Sequence, residues 1–413
     1  MTADSESPDR SEVFRLGVNY WPARTAMGWW TEFEKAEVGA DFETIAAAGF
    51  DSVRLFLTWE NFQPGPKSVD TEMLDQLVTV ADLAGREGLS VMPTLFTGHM
   101  SGVNWIPPWA LGGFDGDNRF RVVSGGRLTR SGLRNWYLDS EVGEAQALLA
   151  GEAATALAGH EAVWAWDLGN ENSNCVRPPS RSSARGWLER ITAAIRTADP
   201  AVLVTIGLHM EDLEENRMLG PWEAAQVCDF LTMHGYPIYA RWAAGPTDEH
   251  VLPFLAQLTR WLGRGRGVLF SEFGLPTYRP AGPDGDLDHH KGPAVLVEEQ
   301  AAADYTQRSL AALRQAGCTG AMLWCYTDYV PAIWAKPPLD VATHERSFGL
   351  WRADGSPKPS VAVVKAFTGL DRTDSPHSRE WIDIEPDDFW ENSADNLARL
   401  YGRYRENAGA TSR

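Results

Sequence analysis

Glu171, in the stretch AVWAWDLGNENSN, and Glu272, in GVLFSEFG, each stand just past a short apolar run. Carboxyl groups at the ends of parallel barrel strands converge on one cavity. A convergent pair about 5 to 5.5 Å apart, one protonated and one ionised, can cleave a glycosidic bond with retention at the anomeric carbon. Neighbouring residues divide the labour. Asn170 precedes Glu171 and can hydrogen-bond a sugar 2-hydroxyl, a contact that strengthens as oxocarbenium character develops, which marks Glu171 as the acid/base. Glu272 is then the nucleophile, and Tyr236 in LTMHGYP can hydrogen-bond it and hold it in line for attack.

Such a pair needs a scaffold that brings distant strand ends together. Eight apolar runs alternate with helical stretches: Phe14–Trp21, Ser52–Leu57, Ser90–Phe96, Val163–Gly169, Val202–Gly207, Phe230–His234, Gly267–Ser271 and Gly320–Tyr326. Glu171 follows the fourth run and Glu272 the seventh. Continuous apolar runs are the mark of parallel strands buried on both faces, and eight of them predict an α/β chain folded as a (β/α)8 TIM barrel. Helices are predicted at Lys35–Ala48, closed by Gly49, at Thr71–Glu87 and at Arg185–Ala198. Thr97–Trp136, Asn172–Ser183, Tyr236–Glu249, Gly274–Pro293 and Tyr326–Ser347 resist assignment and read as long βα loops over the C-terminal face, where barrels bind ligands. The predicted organisation is a disordered segment 1–12, a barrel 13–370, and an acidic extension 371–413 with a helix near Asp395–Glu406. That extension could pack on the barrel or serve as a surface for homo-oligomerisation.

The 413 residues carry 56 acidic and 37 basic side chains, a formal charge of −19, which argues against nucleic acid as a partner. There are 18 Trp, a ring suited to stacking on the C–H face of a sugar as well as to filling a core. Trp105, Trp109 and Trp136 in the third long loop are open to either use, and Trp105 is the one taken here as substrate-binding. Cys175, Cys228, Cys318 and Cys325 are scattered, with no Cys-x-x-Cys spacing, and read as free thiols. No apolar stretch suggests a membrane span, and the polar, acidic start MTADSESPDRSEVFRLG is unlike a secretory signal, so a cytoplasmic protein is expected. His289 and His290 beside Asp284, Asp286 and Asp288 invite a metal reading, but alternating acids with His are common in solvated loops. No metal or cofactor is expected, because the two-carboxylate mechanism requires none.

The chain resembles the clan A glycoside hydrolases, and family 5 most of all, over about Phe14 to Phe367. The resemblance is carried by GVNYW, VRLFLTWENFQP, the His99 region, WDLGNEN, MHGYP, FSEFG and LWCYTD. It implies that Arg54, ending the second strand, supports the nucleophile. It also implies that His99 and His234 bind sugar hydroxyls, and that Trp324 on the eighth strand is a sugar platform. The bland alternatives are that Arg54 only pairs with a barrel carboxylate, that His99 is a hydrogen-bonded loop residue and that Trp324 is a core aromatic.

GVNYW and TLFTGHMSGVNW resemble the exo-acting β-mannosidase-like branch of that family. A cytoplasmic enzyme would meet imported short saccharides instead of insoluble polymers, and long loops can close a cleft into a pocket. The expected activity is release of terminal β-mannose from a small β-linked oligosaccharide or glycoside. The alternatives are an endo-β-1,4-glucanase or mannanase, a β-glucosidase on the same scaffold, and a non-catalytic sugar-binding barrel.

Overall fold

The computed structural model describes residues 13–115, 118–279, 295–373 and 379–411. The segment 1–12 and the Asp284–His290 cluster lie outside the described residues. All eight apolar runs form strands: β1 (Arg15–Asn19), β2 (Ser52–Thr58), β3 (Ser90–Thr97), β4 (Ala165–Asn170), β5 (Leu203–Gly207), β6 (Leu231–His234), β7 (Val268–Phe273) and β8 (Gly320–Leu323). They pair in parallel in the order β5-β4-β3-β2-β1-β8-β7-β6. The seam between β5 and β6 is drawn together by His234 N–H to Leu208 O at 2.8 Å and Met210 N–H to His234 O at 3.1 Å. The result is the (β/α)8 barrel.

A helix of five or more residues follows each strand: α1 (Lys35–Ala47), α2 (Thr71–Arg86), α3 (Ser140–Ala156), α4 (Arg181–Ala198), α5 (Pro221–Ala225), α6 (Val251–Leu262), α7 (Glu299–Gln315) and α8 (Pro359–Lys365). Short polar side chains start several of them. Asp70 accepts from the Glu72 and Met73 N–H groups, Asp139 from Glu141 and Val142, and Ser180 from Ser183, which satisfies donors that a helix start leaves open. The Ser180 cap places the start of α4 four residues before the position read from periodicity. α1 stops where Gly49 turns to φ +94°, a conformation that side chains with a Cβ rarely adopt.

Every residue of β2 is buried, as a strand covered on both faces must be. Val53 and Leu55 face the helices within the main core, whereas Arg54 shares a side with its register partner Met92. Met92 packs with Ala165, Phe230, Leu269 and Met322 in a separate apolar cluster inside the barrel. The interior is therefore oily at one level and charged one layer above it.

The loop after β3 is more ordered than its sequence suggests. His99–Met100, Val103–Trp105, Arg121–Ser124 and Arg127–Thr129 form a four-stranded sheet, and Leu111–Asp115 pairs with Ser131–Leu133. Trp109 and Trp136 meet Trp59 edge-on at 5.4 and 5.7 Å, so these two Trp build a small core under the loop.

The C-terminal segment ends in α9 (Ser393–Thr411), which packs on the barrel. Leu397 and Leu400 are fully buried, the Tyr401 ring lies 4.7 Å from Trp242 and 5.1 Å from Phe254 of α6, and its hydroxyl donates to Asp248 Oδ2 at 2.5 Å. Leu400→Ala should cost about 2–5 kcal/mol, the usual loss for emptying such a site. A urea titration checks this, and an unchanged midpoint would show that α9 adds nothing to the barrel's stability.

Candidate active site

Arg54 occupies the middle of the barrel with no exposed surface. Its Nε donates to Thr94 Oγ1 at 3.1 Å and Asp167 Oδ2 at 2.9 Å, and its Nη2 to Asp167 Oδ2 at 2.6 Å and Asn170 Oδ1 at 2.8 Å. Nη1 donates to Asn19 Oδ1 at 3.1 Å and to Glu272 Oε1. The other Glu272 oxygen accepts from the Tyr236 hydroxyl at 2.9 Å, with His234 Nδ1 3.5 Å away. Burial, and after it the Glu272 charge, push the Tyr236 phenol well above its ordinary value, so it stays a donor.

Glu171 is held differently. It follows a break in register between Asp167 and Asn170, and its own backbone is left-handed at φ 48°, ψ 44°, a strained conformation for a residue with a side chain. Its Oε1 lies 2.9 Å from His234 Nδ1, and its Oε2 accepts from Asn174 Nδ2 at 3.0 Å. His99 Nε2 and His209 Nδ1 each stand 3.8 Å from Oε2. Burial by itself would raise this carboxyl, but His209, then His234 and His99, outweigh it and hold the group well below the usual carboxylate range.

Glu171, Glu272 and His234 each present an atom within 4.8 Å of the others. Among the described residues this is the group whose spacing would also suit a metal ion, but the Arg54 guanidinium already supplies positive charge to Glu272. All three line a cavity of about 340 Å³, at the small end of the range for ligand pockets. His99, Asn170, Tyr236 and Trp324 line it too. Each end of the Asn170 amide is engaged once, by Arg54 and by its own donation to His99 O at 2.9 Å, which leaves one donor and one acceptor site to face the cavity.

A family comparison decides what this cavity belongs to. The cellulase (glycosyl hydrolase family 5) pattern matches residues 17–329, well over half of the chain. The chain belongs to glycoside hydrolase family 5. Among solved structures, this family 5 chain is similar to a GH5_18 protein from Streptomyces cattleya in complex with GlcNAc. The two share 23% identity, with 96% of this chain and 92% of the other covered and a TM-score of 0.77. It is also similar to the exo-β-1,4-mannosidase Op5Man5 from Opitutaceae bacterium strain TAV5 at 29% identity, covering 89% of this chain and 62% of that one, with a TM-score of 0.70. A GH5_18 protein from Bifidobacterium longum subsp. infantis is 21% identical, with 88% and 80% covered and a TM-score of 0.70. No curated protein matches the chain.

In this family 5 barrel the sequence expectations meet the structure unevenly. Arg54 contacts Glu272 and also pairs with a barrel carboxylate, Asp167. His234 sits between the two glutamates and lines the same cavity. Trp105 is not in the pocket: its chain pairs with Arg121–Ser124 and its ring lines a separate cavity beside Thr25 and Leu128. The four cysteines are free, and among the described residues no helix is long and apolar enough to cross a membrane.

Among the pocket residues that escaped the sequence reading are His209, which follows β5, and Glu345, from the turn Thr343–Ser347 after β8. His209 was findable by the strand-end logic that found Glu171. Glu345 carried no local signal.

Tyr236→Phe removes one hydrogen bond to a charged oxygen, so turnover of an aryl glycoside should fall about ten- to a hundredfold; kinetics equal to the parent would separate Tyr236 from Glu272's function. Burial lowers the His209 pKa, but Asp212 and Glu171 outweigh it and lift the group to about 9. A raised pKa stabilises the fold fully below the unfolded value near 6.5, and the benefit is lost as pH rises through about 9. The stability gap between the parent and His209→Asn should therefore narrow between pH 6 and pH 9.5 in urea titrations. A constant gap would mean that the imidazole is neutral.

Proposed function

We propose that the protein is a retaining exo-β-glycosidase that releases terminal β-mannose from small β-linked oligosaccharides, with Glu272 as nucleophile and Glu171 as acid/base. The observation that carries the reading is the spacing of the carboxylates. Oxygens within 4.8 Å fit direct attack on the anomeric carbon, whereas inversion needs roughly 6.5–9.5 Å to admit a water.

Glu272 is held and aimed by hydrogen bonds from Arg54 and Tyr236. It attacks the anomeric carbon while Glu171 gives a proton to the departing oxygen, and the product is a glycosyl ester on Glu272 and a free leaving group. Water, deprotonated by Glu171, then attacks the same carbon and restores both carboxyls. The imidazoles around Glu171 favour its ionised form, so acid catalysis requires this carboxyl to take up a proton as the glycosidic oxygen docks. Asn170 has hydrogen-bonding capacity left for a 2-hydroxyl, and the Trp324 ring supplies a face for the sugar.

Exo action is favoured by how the pocket is closed. Arg121 makes two hydrogen bonds to Asp340, at 2.8 and 2.7 Å, and Ser101 donates to Glu345 Oε2 at 3.1 Å, so the β3 and β8 loops are tied together across one end. Mannose is favoured by the names of similar proteins, one an exo-β-1,4-mannosidase and another a GH5_18 variant in complex with Manβ1-4GlcNAc.

A panel of aryl β-glycosides and manno- and gluco-oligosaccharides, with product anomers followed by NMR, tests sugar, mode and stereochemistry together. Turnover of β-glucosides with none of β-mannosides would overturn the choice of sugar. Glu272→Gln should abolish turnover. Glu171→Gln should lose about 10²–10⁴-fold on natural disaccharides, the usual worth of acid catalysis, while losing far less on aryl glycosides with good leaving groups. Equal losses on both would reverse the assignment of roles.

A further inference from the structure

The pocket contains a third carboxylate that the two-carboxylate mechanism does not use. Glu345 is 8% exposed and lines the same cavity as Glu171 and Glu272. Its Oε2 accepts from Ser101 Oγ at 3.1 Å and Trp324 Nε1 at 3.3 Å, and its Oε1 lies 3.5 Å from the Tyr239 hydroxyl. Among the described residues no Arg or Lys pairs with it. Its nearest basic neighbour, His344, stands 3.6 Å away and is within 2.6 Å of the Tyr239 hydroxyl. Burying a carboxylate without a guanidinium or ammonium partner is costly, and here burial lifts the group to about 7, with the Glu272 and Glu171 charges adding to the effect.

Its placement indicates what the carboxylate is for. Oε2 takes two of these donors and Oε1 one, so the carboxylate keeps accepting capacity for a ligand in the cavity it lines. Asn174, His209, Arg119 and Glu211 line the cavity beside Glu171, where a leaving group would depart. Glu345 instead shares the indole N–H of Trp324, at the edge of the surface on which the terminal sugar would rest, and it belongs to the contact that ties the β8 loop to the β3 loop.

We infer that Glu345 is a specificity-determining residue that accepts hydrogen bonds from the free hydroxyls of the terminal sugar on Trp324. Its substrates are thus short saccharides whose terminal ring is unsubstituted at those positions. The inference rests on the exo-glycosidase reading of the site. A site built to hydrogen-bond a hydroxyl strongly rejects an analogue that lacks it, because the buried acceptor is then left unpaired. A sugar extended by another residue at that hydroxyl would also collide with the wall.

The test compares the parent enzyme and Glu345→Gln on an aryl β-mannoside and its 3-, 4- and 6-deoxy relatives. The parent should lose about ten- to a hundredfold in kcat/KM on at least one deoxy substrate. Glu345→Gln should lose a similar factor on the full sugar yet no longer distinguish it from that deoxy relative. Glu345→Asp, which keeps the charge but withdraws it by one methylene, should also lose the distinction and serves if the glutamine variant folds poorly. Unchanged discrimination in a folded variant would overturn the inference alone. If the parent prefers another aryl β-glycoside, the same series is made on that sugar; a parent inert toward every aryl glycoside would overturn the enzymatic reading as well.

Discussion

The structure depends on one buried guanidinium. Arg54 has five N–H donors in a rigid plane, and its contacts reach Asn19 on β1, Thr94 on β3, Asp167 and Asn170 on β4 and Glu272 on β7. One cation thus fixes two anions and two neutral amides contributed by three other strands. Charges this deep are tolerable only in company, and stripping one partner from such a pair typically costs about 3–5 kcal/mol because it strands the other. The network draws on the backbone as well. Asp167 Oδ1 accepts from the Gly169 and Gly207 N–H groups at 3.2 and 2.9 Å, close to where β4 loses register and sets up the left-handed turn at Glu171.

From that arrangement follows the contrast between the two glutamates. Glu272 is held by a permanently charged guanidinium and a phenol that stays protonated, which suits a group that must remain an anion until it forms a bond. Glu171 is instead surrounded by three imidazoles and the Asn174 amide, and of these His209 is lifted to about 9 because Asp212 and Glu171 outweigh its burial. His209 is the best anchored of the three: Ser173 and Arg217 approach its Nε2 at 3.0 and 3.3 Å, and Asp212 at 3.5 Å.

The loops supply what the barrel cannot. Strand ends place the two glutamates in the cavity, and the loops after β3 and β8 that line it are joined by contacts between distant parts of the chain. Ser101 and Glu345 are 244 residues apart, and Arg121 and Asp340 are 219 apart. Their pairing ties the β3 and β8 loops together, and Ser101 and Glu345 line the cavity along with Trp324.

The sequence by itself determined the barrel and the placing of Glu171 and Glu272 at strand ends that share one cavity. Apolar runs of five to eight residues between helical stretches admit few folds, and a carboxylate one residue past a buried strand has only the cavity to face. Asn170 and Tyr236 were legible for the same reason, since each sits within two residues of a strand end. Only the tertiary structure decided the rest. Trp105 looked like a pocket aromatic, but the small sheet after β3 turns it toward another cavity. Asp167 was in plain view in WDLGNEN, yet its use depends on a guanidinium 113 residues away. Glu345 lies in a loop whose pattern says nothing, and its position is set by contacts with Ser101, Tyr239 and Trp324. Periodicity reports which way a strand residue points, because the backbone repeats; a loop has no repeat, so its side chains are placed by long-range contacts that exist only once the chain has folded.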